Sequence, residues 1–281
     1  MIGISLAAAL ALFAPAPESL IPPRQVPYAS VADGPTGDQP RVLGQQDAAL
    51  FREGLALARA RDIAGTRAVI GRIGDPAARK LVEWALLDTS ADRMTWAELA
   101  DVETRFAGWP RAASRRAAVE KAMSTGYPGA DAVLALFQNS EPATVEGAIA
   151  LADALEQRGR GDEAQRLIRR WWTTRSFDEA NQTRILARWG AALTQVDHET
   201  RLNLLLPGPH GPATRAMTQL VSPERRAVAE AAMALRTAYS PDTVVAGLTP
   251  AQAADPAVAL ERVRSLRAAS RQSEGVALLS A

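Results

Sequence analysis

The 281-residue chain contains no cysteine. That excludes a thiolate nucleophile, a disulfide framework and a cysteine-ligated zinc site. Histidine occurs only as His198 and His210, and neither stands in an H-E-x-x-H or comparable spacing, so no metal site and no cofactor is expected. Lys80 and Lys121 are the only lysines, and arginine carries the rest of the positive charge. The formal net charge of +1 gives no basic field for nucleic acid or an anionic membrane surface. Aromatic residues make up 5% of the chain, and no stretch alternates β-branched residues as a strand would. Residues 2–13 are apolar or small but too few to span a bilayer, so no transmembrane segment is expected.

What is present is alanine-rich and 47% hydrophobic, enough to bury a core. The apolar start leads to Ala14-Pro15-Ala16, an A-x-A-like cleavage site, although no Lys or Arg precedes it and Pro17 follows it. Residues 1–16 are therefore expected to be an export signal. Residues 17–45, with Pro22, Pro23, Pro27, Pro35 and Pro40, read as an extended linker. Residues 46–281 read as one α-helical domain.

Within that domain, residues 159–206 are the most regular. Ala164, Leu167, Ile168, Trp171 and Trp172 fall on one face of a helix, and Ile185, Leu186, Trp189, Ala192 and Leu193 on one face of the next. Ser176 and Glu179 have capping-box spacing between them, and Thr194 with Asp197 opens a third helix in the same way. Upstream, Leu50, Phe51, Leu55 and Ala58 mark a first helix, and Val69, Ile70 and Ile73 its hairpin partner. Asp75-Pro76 starts the next helix, with Leu81, Trp84 and Ala85 as its core face. Thr95 and Glu98 cap a helix carrying Leu99, Val102 and Phe106, and residues 111–123 form another. Two stripes follow, over 132–137 and 145–155. Ser222-Pro223, Ser240-Pro241, Thr249-Pro250 and Asp255-Pro256 each restart a helix, the last running to about Ala269. The pattern predicts about a dozen helices of ten to sixteen residues, in hairpins of roughly 30–40 residues. No repeat signature holds a fixed period, so the expected fold is all-α: an irregular, TPR-like solenoid or superhelix.

The run Leu193-Thr194, Asp197-His198, Arg201 and Leu204-Leu205-Leu206 also resembles a family. With Gly161, Ala164, Leu167-Ile168-Arg169, Trp172, Phe177, Ile185-Leu186 and Trp189-Gly190, it is similar to the N-terminal helical region of the soluble lytic transglycosylases. Trp109-Pro110 before a basic helix adds to the likeness, which extends over roughly residues 47–281. The resemblance implies a periplasmic location and peptidoglycan glycan strands as ligand. The family cleaves the MurNAc–GlcNAc bond to 1,6-anhydro products, using one Glu as acid and then base. Its Gly-Leu-Met-Gln and Ala-Tyr-Asn-Ala-Gly runs do not occur here. Glu18-Ser19 matches the catalytic Glu-Ser pair in letters only, among prolines and outside any helix. The chain is therefore expected to lack the catalytic domain, as a truncated product or a fragment, and to bind or position rather than cleave. Its expected partners are glycan strands or that missing domain. The alternative is a free-standing TPR-like scaffold for another periplasmic protein.

No catalytic residue is assigned. His198 is expected to bridge helices and His210 to be exposed in the Pro/Gly loop 207–212. The carboxylates are expected at helix starts and on solvated faces. Trp84, Trp96, Trp109, Trp171, Trp172 and Trp189 offer sugar-stacking platforms or core, and four of the six lie on apolar stripes. Trp171 and Trp172 are about 100° apart on a helix, so one of them is expected to be partly exposed. Arg111, Arg115 and Arg116 either meet anionic ligand groups or form a solvated face.

Overall fold

A computed structural model describes residues 43–237 and 240–280. The expected signal (1–16) and all but the end of the expected linker (17–45) lie outside them. Among the described residues every regular element is helical: the fold is all-α.

The start is a three-helix unit. α1 (Gln45–Arg59) and α2 (Ile63–Ile70) form the expected hairpin, and α3 (Pro76–Ser90) packs on both. Asp75 caps α3 by accepting from the Ala78 N–H at 2.8 Å, with Pro76 at the first helical position. Its buried face differs from the expected one. Ala78, Val82, Leu86 and Leu87 face inward, while Leu81 is 40% exposed. The rotation follows from Gly54 on α1, where a Cβ would stand 2.7 Å from Val82 Cγ1. The bare glycine lets Val82 dock there and turns Leu81 outward.

The helix expected after Thr95 is broken in two. α4 (Trp96–Leu99) carries the full Thr95–Glu98 capping box, and α5 (Val102–Arg105) restarts after Asp101. Leu99, Val102 and Phe106 all reach the core nonetheless. α6 (Ala112–Thr125), α7 (Ala130–Leu136) and α8 (Val145–Gln157) follow, with α8 packed on both. α8 ends in a Schellman motif: Arg160 N–H donates to Leu155 O at 2.8 Å and Gly159 N–H to Glu156 O at 2.9 Å. Gly159 takes the required left-handed φ of 73°.

α9 (Gly161–Thr174) lies between α8 and α11 (Gln195–Leu205), with α10 (Glu179–Trp189) on its flank. That placement corrects one expectation: Trp171 and Trp172 are both buried, at 7% and 0% exposure. Helices on two sides of α9 receive side chains that diverge by 100°. Ser176 is not the cap of α10. Residue 175 is extended (φ −124°, ψ 139°), and Asp178 caps instead, accepting from the Asn181 N–H at 2.8 Å. The core around Trp172 and Trp189 extends through α12 (Pro212–Met217) into α13 (Pro223–Thr237).

α14 (Pro241–Ala246), α15 (Pro250–Ala253) and α16 (Pro256–Ala268) each begin at the expected Pro. A further helix beyond the expected last one, α17 (Gln272–Ser280), packs on α16. Several elements span only one turn, shorter than expected. In a packed array a one-turn helix needs only a cap and one or two buried side chains.

Candidate functional site

The distinctive run after Leu193 forms the junction of α9, α10 and α11. Thr194 and Asp197 make the capping box: the Thr194 N–H and Oγ1–H each donate to Asp197 Oδ2 at 2.8 Å. The same carboxylate takes Arg169 Nε from α9 at 3.2 Å. His198 meets the Trp172 ring edge-on, centroids 5.6 Å apart. Burial holds its pKa below the usual histidine value, against the opposing charge of Asp197. It thus bridges two helices, as expected.

Arg201, one turn further on, is fully buried and has no carboxylate partner among the described residues. Its Nη1 donates to the Trp172 and Arg175 carbonyls, each at 3.1 Å, which satisfies the end of α9. Its Nε donates to Gln182 Oε1 on α10 at 2.9 Å. The guanidinium lies 4.4 Å from the Trp172 ring centroid and 3.8 Å from that of Phe177. A desolvated cation–π contact contributes about 2 kcal/mol. Two such rings and three acceptors stand in for a counter-ion, while Nη2 is buried without a hydrogen-bond partner among the described residues. Burial still lowers the Arg201 pKa to about 10.

Against this junction lies a cleft of about 570 Å³, within the usual range for ligand pockets. One wall is residues 176–180, from Ser176 to the first turn of α10. The opposite wall is residues 211–214 at the start of α12, and Leu204, Leu205 and Pro209 complete the apolar lining. Phe177 borders it, with Ser176, Asp178 and Glu179 as polar lining residues, while Thr214 is buried and its hydroxyl donates to Pro209 O at 3.1 Å. An apolar lining with a few carboxylates and hydroxyls suits a ligand with both apolar faces and hydroxyl groups.

The other candidates are placed differently. His210 is half-buried rather than exposed, its Nε2 2.8 Å from Leu206 O at the end of α11. Trp189 is core, and its indole N–H donates to Glu156 at 2.7 Å. Trp84, Trp96 and Trp109 are partly buried, with Trp84 and Trp109 6.1 Å apart. Arg115 and Arg116 form no solvated face. Arg115 is 3% exposed and donates to the carbonyls of Phe106, Trp109 and Pro110. Arg116 pairs with Glu103 at 2.6 Å and Glu120 at 2.8 Å.

The expectation that carboxylates stay on solvated faces also fails. Glu120 is fully buried, and Glu261 is 1% exposed. Glu120 accepts from the N–H groups of Ala143 and Thr144, from Thr144 Oγ1 and from Arg116, so its lone pairs are engaged at the start of α8. Burial pushes the Glu261 pKa up, but hydrogen bonds from Arg236 and Arg264 outweigh it and hold the group below its usual value. These partners lie 20 or more residues away for all but two contacts, a separation that no local spacing reveals.

No group of His, Asp and Glu among the described residues is arranged to hold a metal ion. No described helix is long and apolar enough to cross a membrane. Comparison with known protein families, with curated proteins and with solved structures gives no match.

Proposed function

We propose that this chain is a periplasmic helical module that binds and positions glycan strands of peptidoglycan without cleaving them. The reading rests on the resemblance to the N-terminal region of the soluble lytic transglycosylases and on the all-α fold, whose hairpins we read as a TPR-like superhelix. One observation carries it furthest: Leu204 and Leu205 of the resembling run line a cleft that is largely apolar and whose polar residues include Ser176, Asp178 and Glu179. Sugar rings present such alternating apolar faces and hydroxyls, and an aromatic side chain such as Phe177 is a suitable stacking surface.

Co-sedimentation of the purified chain with sacculi tests this. Wild type is expected to sediment weakly and in a salt-sensitive manner. Leu204→Glu, which places a charge on a 38% exposed residue of the cleft, is expected to abolish the effect while leaving the fold intact. Failure of the wild-type chain to sediment at low salt rejects the glycan reading. The second reading, a scaffold for another protein, is favoured by Val196 and Leu279, exposed at 70% and 74%.

A further inference from the structure

We infer that Arg201 is a positioning residue for the cleft: it fixes both walls and the floor without touching what binds there. The inference rests on the cleft being the ligand site proposed above.

The geometry is a short relay. Arg201 is fully buried and lies behind the cleft surface. Toward one wall it bonds the Arg175 carbonyl at 3.1 Å and stacks on Phe177 at 3.8 Å. Those two contacts hold the extended turn that leads into α10. Toward the other wall it donates to Gln182 Oε1 at 2.9 Å, and Gln182 Nε2 donates to Ala213 O at 3.2 Å. Gln182 is 1% exposed, so neither bond has solvent competing for it. Leu204 and Leu205 stand three and four residues beyond Arg201, on the same face of α11 one turn along. One guanidinium is therefore stacked on the first wall at Phe177 and bonded to Arg175 just before it, one residue removed from the second wall, and linked to the floor along α11.

Only arginine meets these demands. Its planar fork serves acceptors in several directions while its faces stack on rings. Lysine keeps the charge but cannot hold Gln182, two carbonyls and two ring faces at once. A buried cation without a carboxylate is costly to keep, and apolar replacement of buried charges is often neutral for stability. Here an apolar side chain would leave the Trp172 and Arg175 carbonyls and Gln182 Oε1 without their donor, and those same bonds place the walls.

The test uses the full chain with two variants, Arg201→Lys and Gln182→Glu. The second supplies Arg201 with a carboxylate but removes the N–H that holds Ala213. Peptide-level hydrogen exchange without ligand is the first readout. Arg201→Lys is expected to raise exchange about tenfold in both 175–181 and 211–215, the loss of roughly one hydrogen bond from a charged donor. Gln182→Glu is expected to raise it in 211–215 alone. α1 to α3 should not change in either variant. The second readout is affinity for soluble, uncrosslinked peptidoglycan strands, expected to fall about tenfold in both variants. Uniformly raised exchange along α9 and α11, or unchanged exchange at both walls, overturns the inference and leaves Arg201 a packing residue. Strands that bind wild type and both variants equally also overturn it. If the exchange pattern appears but wild type binds no strands, the wall-setting role stands and the glycan reading falls.

Discussion

A Cβ on Gly147 would stand 2.3 Å from Oε2 of Glu120. The glycine lies in the first turn of α8, and the bare face it leaves is where the Glu120 carboxylate reaches the N–H groups of Ala143 and Thr144, at 3.0 and 2.7 Å. α6 and α8 are joined through this pair.

Gly147→Ala is therefore expected to destabilise the protein by about 2–4 kcal/mol, because overpacking adds to the displaced buried carboxylate. Helix propensity alone argues the reverse, a gain of about 1 kcal/mol. Urea unfolding separates the two, and a stabilised variant would show that Glu120 moves aside at little cost.

His198 yields a pH prediction. Burial against Trp172 holds its folded pKa below 6.5, while the unfolded chain titrates near 6.5. The unfolded state then binds the extra proton first as pH falls. The stability His198 contributes is fully present above pH 6.5 and is lost as pH drops from there toward the folded pKa. Unfolding free energy measured from pH 8 to 5 should fall more steeply in wild type than in His198→Gln. Equal slopes, or a wild type that gains stability on acidification, reject the assignment.

Local signals were legible, and long-range ones were not. Thr194 with Asp197, Thr95 with Glu98, Asp75 before Pro76 and Ser222 before Pro223 all open helices as their spacing implies, because a cap is satisfied within three residues. Ser176 misled because the same spacing says nothing of the extended backbone that Arg201 imposes at residue 175. The Trp171-Trp172 pair misled because burial depends on how many neighbours flank α9, which its own stripe does not encode. Glu120 and Arg115 looked like surface charges, since their acceptors and donors lie on loops fixed only by packing. For the cleft, Leu204 and Leu205 stood in the visible run, but the second wall at 211–214 begins in a stretch that reads as a Pro/Gly loop and carries no signal of its own.

Ser270 gives a simple gain. It sits at the left-handed position after α16 with φ 60°, and Arg271 N–H donates to Leu266 O at 2.8 Å. A non-glycine residue there carries a penalty of about 1 kcal/mol. Ser270→Gly should raise the unfolding temperature by about 2–4 °C in a chain of this size. A lowered temperature would mean that the hydroxyl is worth more than the backbone strain.

The last prediction concerns chemistry. Glycoside cleavage requires a carboxylic acid that keeps its proton until the leaving oxygen takes it, normally by burial in a water-excluding cleft. The buried carboxylates here are committed elsewhere. Glu120 accepts from two backbone N–H groups, a hydroxyl and a guanidinium, and Glu261 is held ionised by Arg236 and Arg264. Asp178, at the cleft, caps α10 through its Oδ1. Asp153 is a carboxylate whose pKa burial raises on balance, with Arg188 opposing the effect and Glu156 adding to it. Yet Asp153 is paired to Arg188 at 2.7 Å and borders none of the clefts described. The purified chain is accordingly expected to release no 1,6-anhydro muropeptides from sacculi on long incubation, read by mass spectrometry of the soluble fraction. Release that disappears in Asp153→Asn but persists in Asp178→Asn would locate an acid on α8 and overturn the proposal that this chain binds without cleaving.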